Sequence, residues 1–207
     1  MDISKSFSMH GKIIPFISIP AIFEYINPDE NSLIITEKRL ADEYKDDLKN
    51  ARIIIRDNYE KGPTTLSLIE NIANDAGANY DKVYGIGGGA VLEIAKILSL
   101  QTIIPVKSLF EDEANIIKDR YLTLVPTTPG TGSEMTSFAA VLFEKERVQR
   151  ILNSDALYAD EILLCPRFLK GIPFKVLAAS SFVSFVHACE GFTSPLSTPI
   201  TRALAEK

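Results

Sequence analysis

Histidine, cysteine and tryptophan are scarce in this chain. Its 207 residues hold two histidines, two cysteines and no tryptophan, and 22 basic side chains stand against 27 acidic ones for a net charge of −5. Histidine occurs only at positions 10 and 187, which limits any histidine-built metal site. Cys165 and Cys189 lie in apolar stretches without metal-ligand spacing. They read as buried thiols rather than a disulfide, which points to a reducing, cytoplasmic compartment. The acidic balance, with no basic cluster to override it, excludes a nucleic-acid footprint. No apolar run approaches the roughly 20 residues that span a bilayer. Met1–Ser6 is followed by no signal-peptide core. Neither a membrane nor an export route is expected, and there are no internal repeats or low-complexity segments.

What the chain does have is ordinary globular material, 46% hydrophobic and 24% charged, in a length that buries a sizeable core. Short apolar strands alternate with helical patterns. Ser32–Thr36 reads as a buried strand, Lys38–Asn50 as a charged surface helix and Ala51–Arg56 as the next strand. Pro63 takes a first-turn position before a helical stripe of Leu66, Leu68, Ile69, Ile72 and Ala73. Val83–Ile86 and Tyr121–Val125 are two further strands. Ile13–Pro20, interrupted by proline, suits an edge strand. This alternation predicts an α/β fold: a parallel, Rossmann-like sheet with helices on both faces. From Lys175 onward the pattern is helical. The expected division is a dinucleotide-binding domain over 1–172 and the start of an all-helical domain over 173–207.

Two loops carry the chemistry. Gly87-Gly88-Gly89 follows one strand and opens the helical run Ala90–Lys96. Glycines bring peptide N–H groups close to an anion, and a helix N-terminus adds partial positive charge. Pro126-Thr127-Thr128-Pro129-Gly130-Thr131-Gly132-Ser133-Glu134 follows the next strand with hydroxyls and further glycines. Both fall at carboxyl ends of strands, where open α/β sheets bind ligands. Either loop alone also fits a plain strand-to-helix turn; the pair fits a dinucleotide.

These segments resemble the iron-containing (group III) alcohol dehydrogenases. Gly87–Lys96 is similar to that family's Gly-Gly-Gly-Ser-x-x-Asp-x-Ala-Lys, and Pro126–Thr136 to its Pro-Thr-Thr-x-Gly-Thr-Gly-Ser-Glu-Val-Thr. His187-Ala188-Cys189-Glu190-Gly191-Phe192 resembles its His-Ala-x-Glu-Ala-Tyr helix. Ser154–Ala159 and Lys170–Pro173 are similar to the 4-hydroxybutyrate dehydrogenase branch. The threonine-glycine loop speaks against the glycerol dehydrogenase and dehydroquinate synthase types.

The resemblance implies hydride transfer between a nicotinamide dinucleotide and a primary alcohol or aldehyde, in a cleft between two domains, with a divalent metal (iron or zinc) polarising the substrate oxygen. It implies that Gly87, Gly88 and Gly89 approach the pyrophosphate. Thr127, Thr128, Thr131 and Ser133 would line the nicotinamide side, and Glu37 would hold the adenosine ribose. A carboxylate there favours NAD over NADP; Glu37 reads equally as a solvated residue starting a helix.

Departures from the family pattern are Ala90 for Ser, Glu93 for Asp, and Gln149 for a cofactor-side Lys beside which Arg150 stands in reserve. The implied metal site has one Asp and three His, the Asp four residues before His187. That position is Val183, so His187 is a partial site only, and Glu190 reads as a structural partner. The expectation is therefore a truncated oxidoreductase, inactive by itself and homo-oligomeric or missing a companion domain. The alternative is a non-catalytic nucleotide-binding or interaction remnant of the family.

Overall fold

The computed structural model describes residues 10–112 and 115–207; the Met1–Ser6 reading lies outside them. Six parallel strands form one sheet in the order β1-β8-β5-β4-β2-β3. These are β1 (Lys12–Pro15), β2 (Ser32–Thr36), β3 (Arg52–Ile55), β4 (Lys82–Gly87), β5 (Tyr121–Pro126) and β8 (Glu161–Leu164). A separate antiparallel hairpin joins β6 (Phe138–Phe143) to β7 (Val148–Asn153). The helices are α1 (Ile19–Ile26), α2 (Lys38–Glu43), α3 (Lys45–Leu48), α4 (Leu66–Ala76), α5 (Gly89–Leu98), α6 (Phe174–Thr193) and α7 (Pro199–Ala205).

The doubly covered sheet explains the unbroken apolar strands, since alternate side chains enter opposite cores. Leu33 and Ile35 pack under α4 and α5 with Leu68, Ile72, Leu92 and Ala95. Ile34, between them, faces Ile22, Phe23, Leu40 and Phe168 on the other side. A third cluster seats the hairpin, through Ala139, Val141 and Leu152, against Ile69 of α4 and Ile97 of α5. Gly85 lets α5 approach β4 closely: a Cβ there would stand 2.7 Å from the Ala95 Cβ.

Only the first part of the proline-interrupted segment forms an edge strand, β1, which ends at Pro15; Ile19 and Pro20 already belong to α1. Several expectations need correction. The helix expected over Lys38–Asn50 is two short ones broken at Tyr44, whose ring packs between Phe23 and Phe168 with φ −114° and ψ 31°. Tertiary packing of that ring overrides local helix preference. Pro63 precedes α4 rather than starting it; Thr65 is the N-cap and accepts from the Leu68 N–H at 3.1 Å. The hairpin and strand β8 were not anticipated. Cys165 is buried, but Cys189 is exposed. Finally, α6 contradicts the expectation of no membrane-length run. Its 20 residues are long and apolar enough to cross a bilayer by length and composition. Small residues, Ala178, Ala179, Ser180 and Ser181 among them, sustain the run without a block of large apolar side chains.

Candidate functional site

The chain leaves β2 for β3 on one side of the sheet and β4 for β5 on the other, although β2 and β4 are hydrogen-bonded neighbours. Such a reversal opens a crevice above the carboxyl ends of the two strands. Glu37 directly follows β2, and Gly88 directly follows β4. Across the crevice the Gly88 N–H donates to Glu37 Oε1 at 3.0 Å. An open cleft of about 910 Å³ rises from this point, walled by α5 on one side and α6 on the other.

Glu37, Gly88, Gly89 and Thr128 line this cleft. The first turn of α5 holds no acidic residue. The N–H groups of Gly89 and Ala90 have no partner among the described residues, so they present an anion site to the cleft. Thr131 lies against Gly89, where a Cβ would come within 2.8 Å of the threonine methyl. Gly87, Thr127, Thr131 and Ser133 do not line the cleft. Gly87 ends the buried strand and accepts the Thr127 N–H at 3.0 Å, which ties the two loops together at their base. Thr127 is itself buried. Ser133 is turned inward, where its hydroxyl donates to Glu93 Oε1 at 3.2 Å.

Beneath the loops sits a buried charged cluster. Lys96 is 0% exposed, and its ammonium donates to Thr136 Oγ1 at 3.0 Å and to the Phe138 carbonyl at 2.9 Å. Burial lowers the Lys96 amine to about 8, opposed by the nearby Glu93 and Glu134 carboxylates. Burial likewise raises both carboxyls.

Sequence reasoning missed the basic residues of the cleft. Lys38, Arg56, Lys61 and Lys175 line it against the acids Glu37 and Asp57, an excess of two positive charges. That excess suits a ligand carrying two phosphates. Arg56 donates to the carbonyls of Glu60 at 2.7 Å and Gly62 at 3.0 Å, and its buried Nε lacks a partner. Arg56 immediately follows β3, so the strand-end rule contained the signal that would have found it. Arg150 does not stand in for a cofactor-side lysine: on the hairpin its guanidinium lies over the Phe143 ring at 4.4 Å and pairs with Glu146 at 2.5 Å.

The metal side differs. Val183 lines the cleft, and His187 follows one turn later on the same exposed helix. Among the described residues no group of three or more His, Cys, Asp and Glu is placed to hold a metal ion. An aliphatic side chain beside one imidazole does not fit iron or zinc, which take about four donors in the usual zinc site.

Residues 14–166 match the family profile described as iron-containing alcohol dehydrogenase. The chain belongs to the iron-containing alcohol dehydrogenase family. It is 32% identical over 205 residues to 4-hydroxybutyrate dehydrogenase of Clostridium kluyveri, covering 98% of this chain and 55% of that one. It is 34% identical over 145 residues to sulfoacetaldehyde reductase of Bilophila wadsworthia, covering 68% of this chain and 37% of the relative. The fold is that of sulfoacetaldehyde reductase from Bifidobacterium kashiwanohense, solved in complex with NAD+. That match has a TM-score of 0.84 at 19% identity, over 99% of this chain and 57% of the other. This iron-containing alcohol dehydrogenase chain thus spans about half the length of the family members it matches.

Proposed function

We propose that this chain is the dinucleotide-binding part of an NAD-dependent oxidoreductase of the alcohol dehydrogenase type, with residues 1–172 forming the nucleotide domain and 173–207 opening the helical one. The observation that carries the reading is the Glu37–Gly88 contact at the strand-order reversal, with the bare N-terminus of α5 beside it. The Gly89 and Ala90 N–H groups would hold the pyrophosphate, with Lys61 and Lys175 adding charge from the cleft walls. Glu37 would accept from the ribose hydroxyls and repel a 2′-phosphate, favouring NAD over NADP. Thr128 and Thr131 would flank the nicotinamide. When bound, the nicotinamide ring supplies hydride exchange with a primary alcohol or aldehyde. The resemblance to the 4-hydroxybutyrate branch nominates 4-hydroxybutyrate and succinate semialdehyde.

Val183 supports a second reading. With an aliphatic residue where the family resemblance places a metal-binding aspartate, the chain would keep nucleotide binding and lose the redox step. Titrating NADH and NADPH by fluorescence tests the common part. The proposal expects NADH to bind more tightly; equal or better NADPH binding overturns the role of Glu37. No binding of either leaves the loops as simple turns. NAD-dependent oxidation of 4-hydroxybutyrate then separates the two readings.

A further inference from the structure

Among the described lysines and arginines only Lys96 and Arg120 are buried, and Lys96 completely so. Burying an ammonium is unfavourable unless its donors are met, and here they are met by one element only. Thr136 and the Phe138 carbonyl both belong to the segment that runs from the threonine loop into β6. A second tie runs alongside, from Ser133 to Glu93, one turn earlier on α5. The same helix begins at Gly89, which lines the cleft, and Gly89 packs on Thr131 of the same loop. Three hydrogen bonds below and one packing contact above therefore hold the threonine loop at a set distance from the N-terminus of α5.

We infer that Lys96 is a positioning residue for the dinucleotide: it anchors the Thr127–Thr136 loop to α5, so that the two loops keep the separation the ligand requires. This rests on the reading of the cleft as a dinucleotide site. Lys96 does not line the cleft; it acts through Thr136 and the backbone at Phe138. Glu93 from its own helix and Glu134 from the loop are the charged groups that face it. From β6 it meets only a carbonyl. The cluster thus holds two carboxylates and one ammonium, all reduced in their tendency to ionise by burial.

The test compares Lys96→Met, Lys96→Gln and Thr136→Val in the full 207-residue chain, reading NADH affinity and amide hydrogen exchange over residues 127–136. Lys96→Met fills the same space without a donor. It should weaken NADH binding about tenfold, equivalent to the loss of one charged hydrogen bond, and raise exchange across the loop. Lys96→Gln keeps a donor and should recover part of both. Thr136→Val removes one partner without touching the lysine, and should move both readouts in the same direction by less. Wild-type affinity and exchange in Lys96→Met would overturn the inference, because a residue that merely fills the core would be replaced without penalty. If Lys96→Met does not fold, unchanged exchange and affinity in Thr136→Val overturn it instead. Should the wild type bind no NADH, the reading of the cleft fails, while loop exchange still decides whether Lys96 is the anchor.

Discussion

Gly130, in the threonine loop, lies directly against the Ser180 carbonyl of α6. A β-carbon at position 130 would run into that oxygen, so the glycine is what allows the helix to sit on the loop and close one wall of the cleft. The residue also holds a φ of +156°.

Gly130→Ala should therefore loosen α6 rather than the sheet. Overpacking of this kind destabilises by about 1–3 kcal/mol. The expected result is a lower melting temperature with faster hydrogen exchange confined to α6 and the threonine loop. Unchanged exchange in α6 would show that the contact is not what seats the helix.

Glu37→Gln should reduce discrimination between the two nucleotides. Glu37 accepts the Gly88 N–H at 3.0 Å, and its negative charge opposes a 2′-phosphate. The amide keeps an acceptor but loses the charge, so NADH binding should weaken about tenfold while NADPH binding holds or improves. A fluorescence titration of both nucleotides decides it, and parallel losses for the two would refute the selectivity role.

Lys96 makes stability pH-dependent in a defined direction. Its amine is lowered from 10.5 to about 8 in the fold. A base with a lowered folded value carries a penalty that is complete below pH 8. As pH rises from 8 towards 10.5 the unfolded chain holds the proton more than the folded one, so folding is favoured. Relative to Lys96→Met, the wild type should gain melting temperature through that window. Parallel curves for the two proteins would mean that the lysine does not titrate there.

The 207-residue chain, dialysed and analysed for metals, should hold no stoichiometric iron or zinc. His187 supplies one donor, and Val183 supplies none. Val183→Asp alone should not restore binding, since two donors still fall short of the usual four. One ion per chain, resistant to dialysis, would locate ligands that His187 and its neighbours do not provide.

Association should be the default state of the chain by itself. No residue of α6 or α7 is buried, and Phe174 is 81%, Phe182 66% and Leu196 76% exposed. Contiguous apolar surface of this kind marks an interaction or aggregation site. Size-exclusion chromatography should show oligomers, with no alcohol dehydrogenase activity alongside; a clean, active monomer would contradict both expectations.

How far the sequence reached depended on how local each feature is. The strands Ser32–Thr36 and Tyr121–Val125 and both glycine loops were legible, because an apolar run and the turn chemistry at its end lie within a dozen residues. The family resemblance was legible for the same reason. What the chain could not disclose was who stands across from whom. Glu37 meets Gly88 only because β2 and β4 pair while their connections leave in opposite directions. Arg56 and Lys61 join the cleft only because β3 flanks β2. Tyr44 breaks a helix to fill a space between Phe23 and Phe168, and Ser133 turns from the cleft to reach Glu93. Periodicity and loop chemistry act along the chain, so the sequence determined them. Strand order, the burial of Lys96 and the seating of α6 against Gly130 join residues far apart along it, and these only the packed tertiary structure decided.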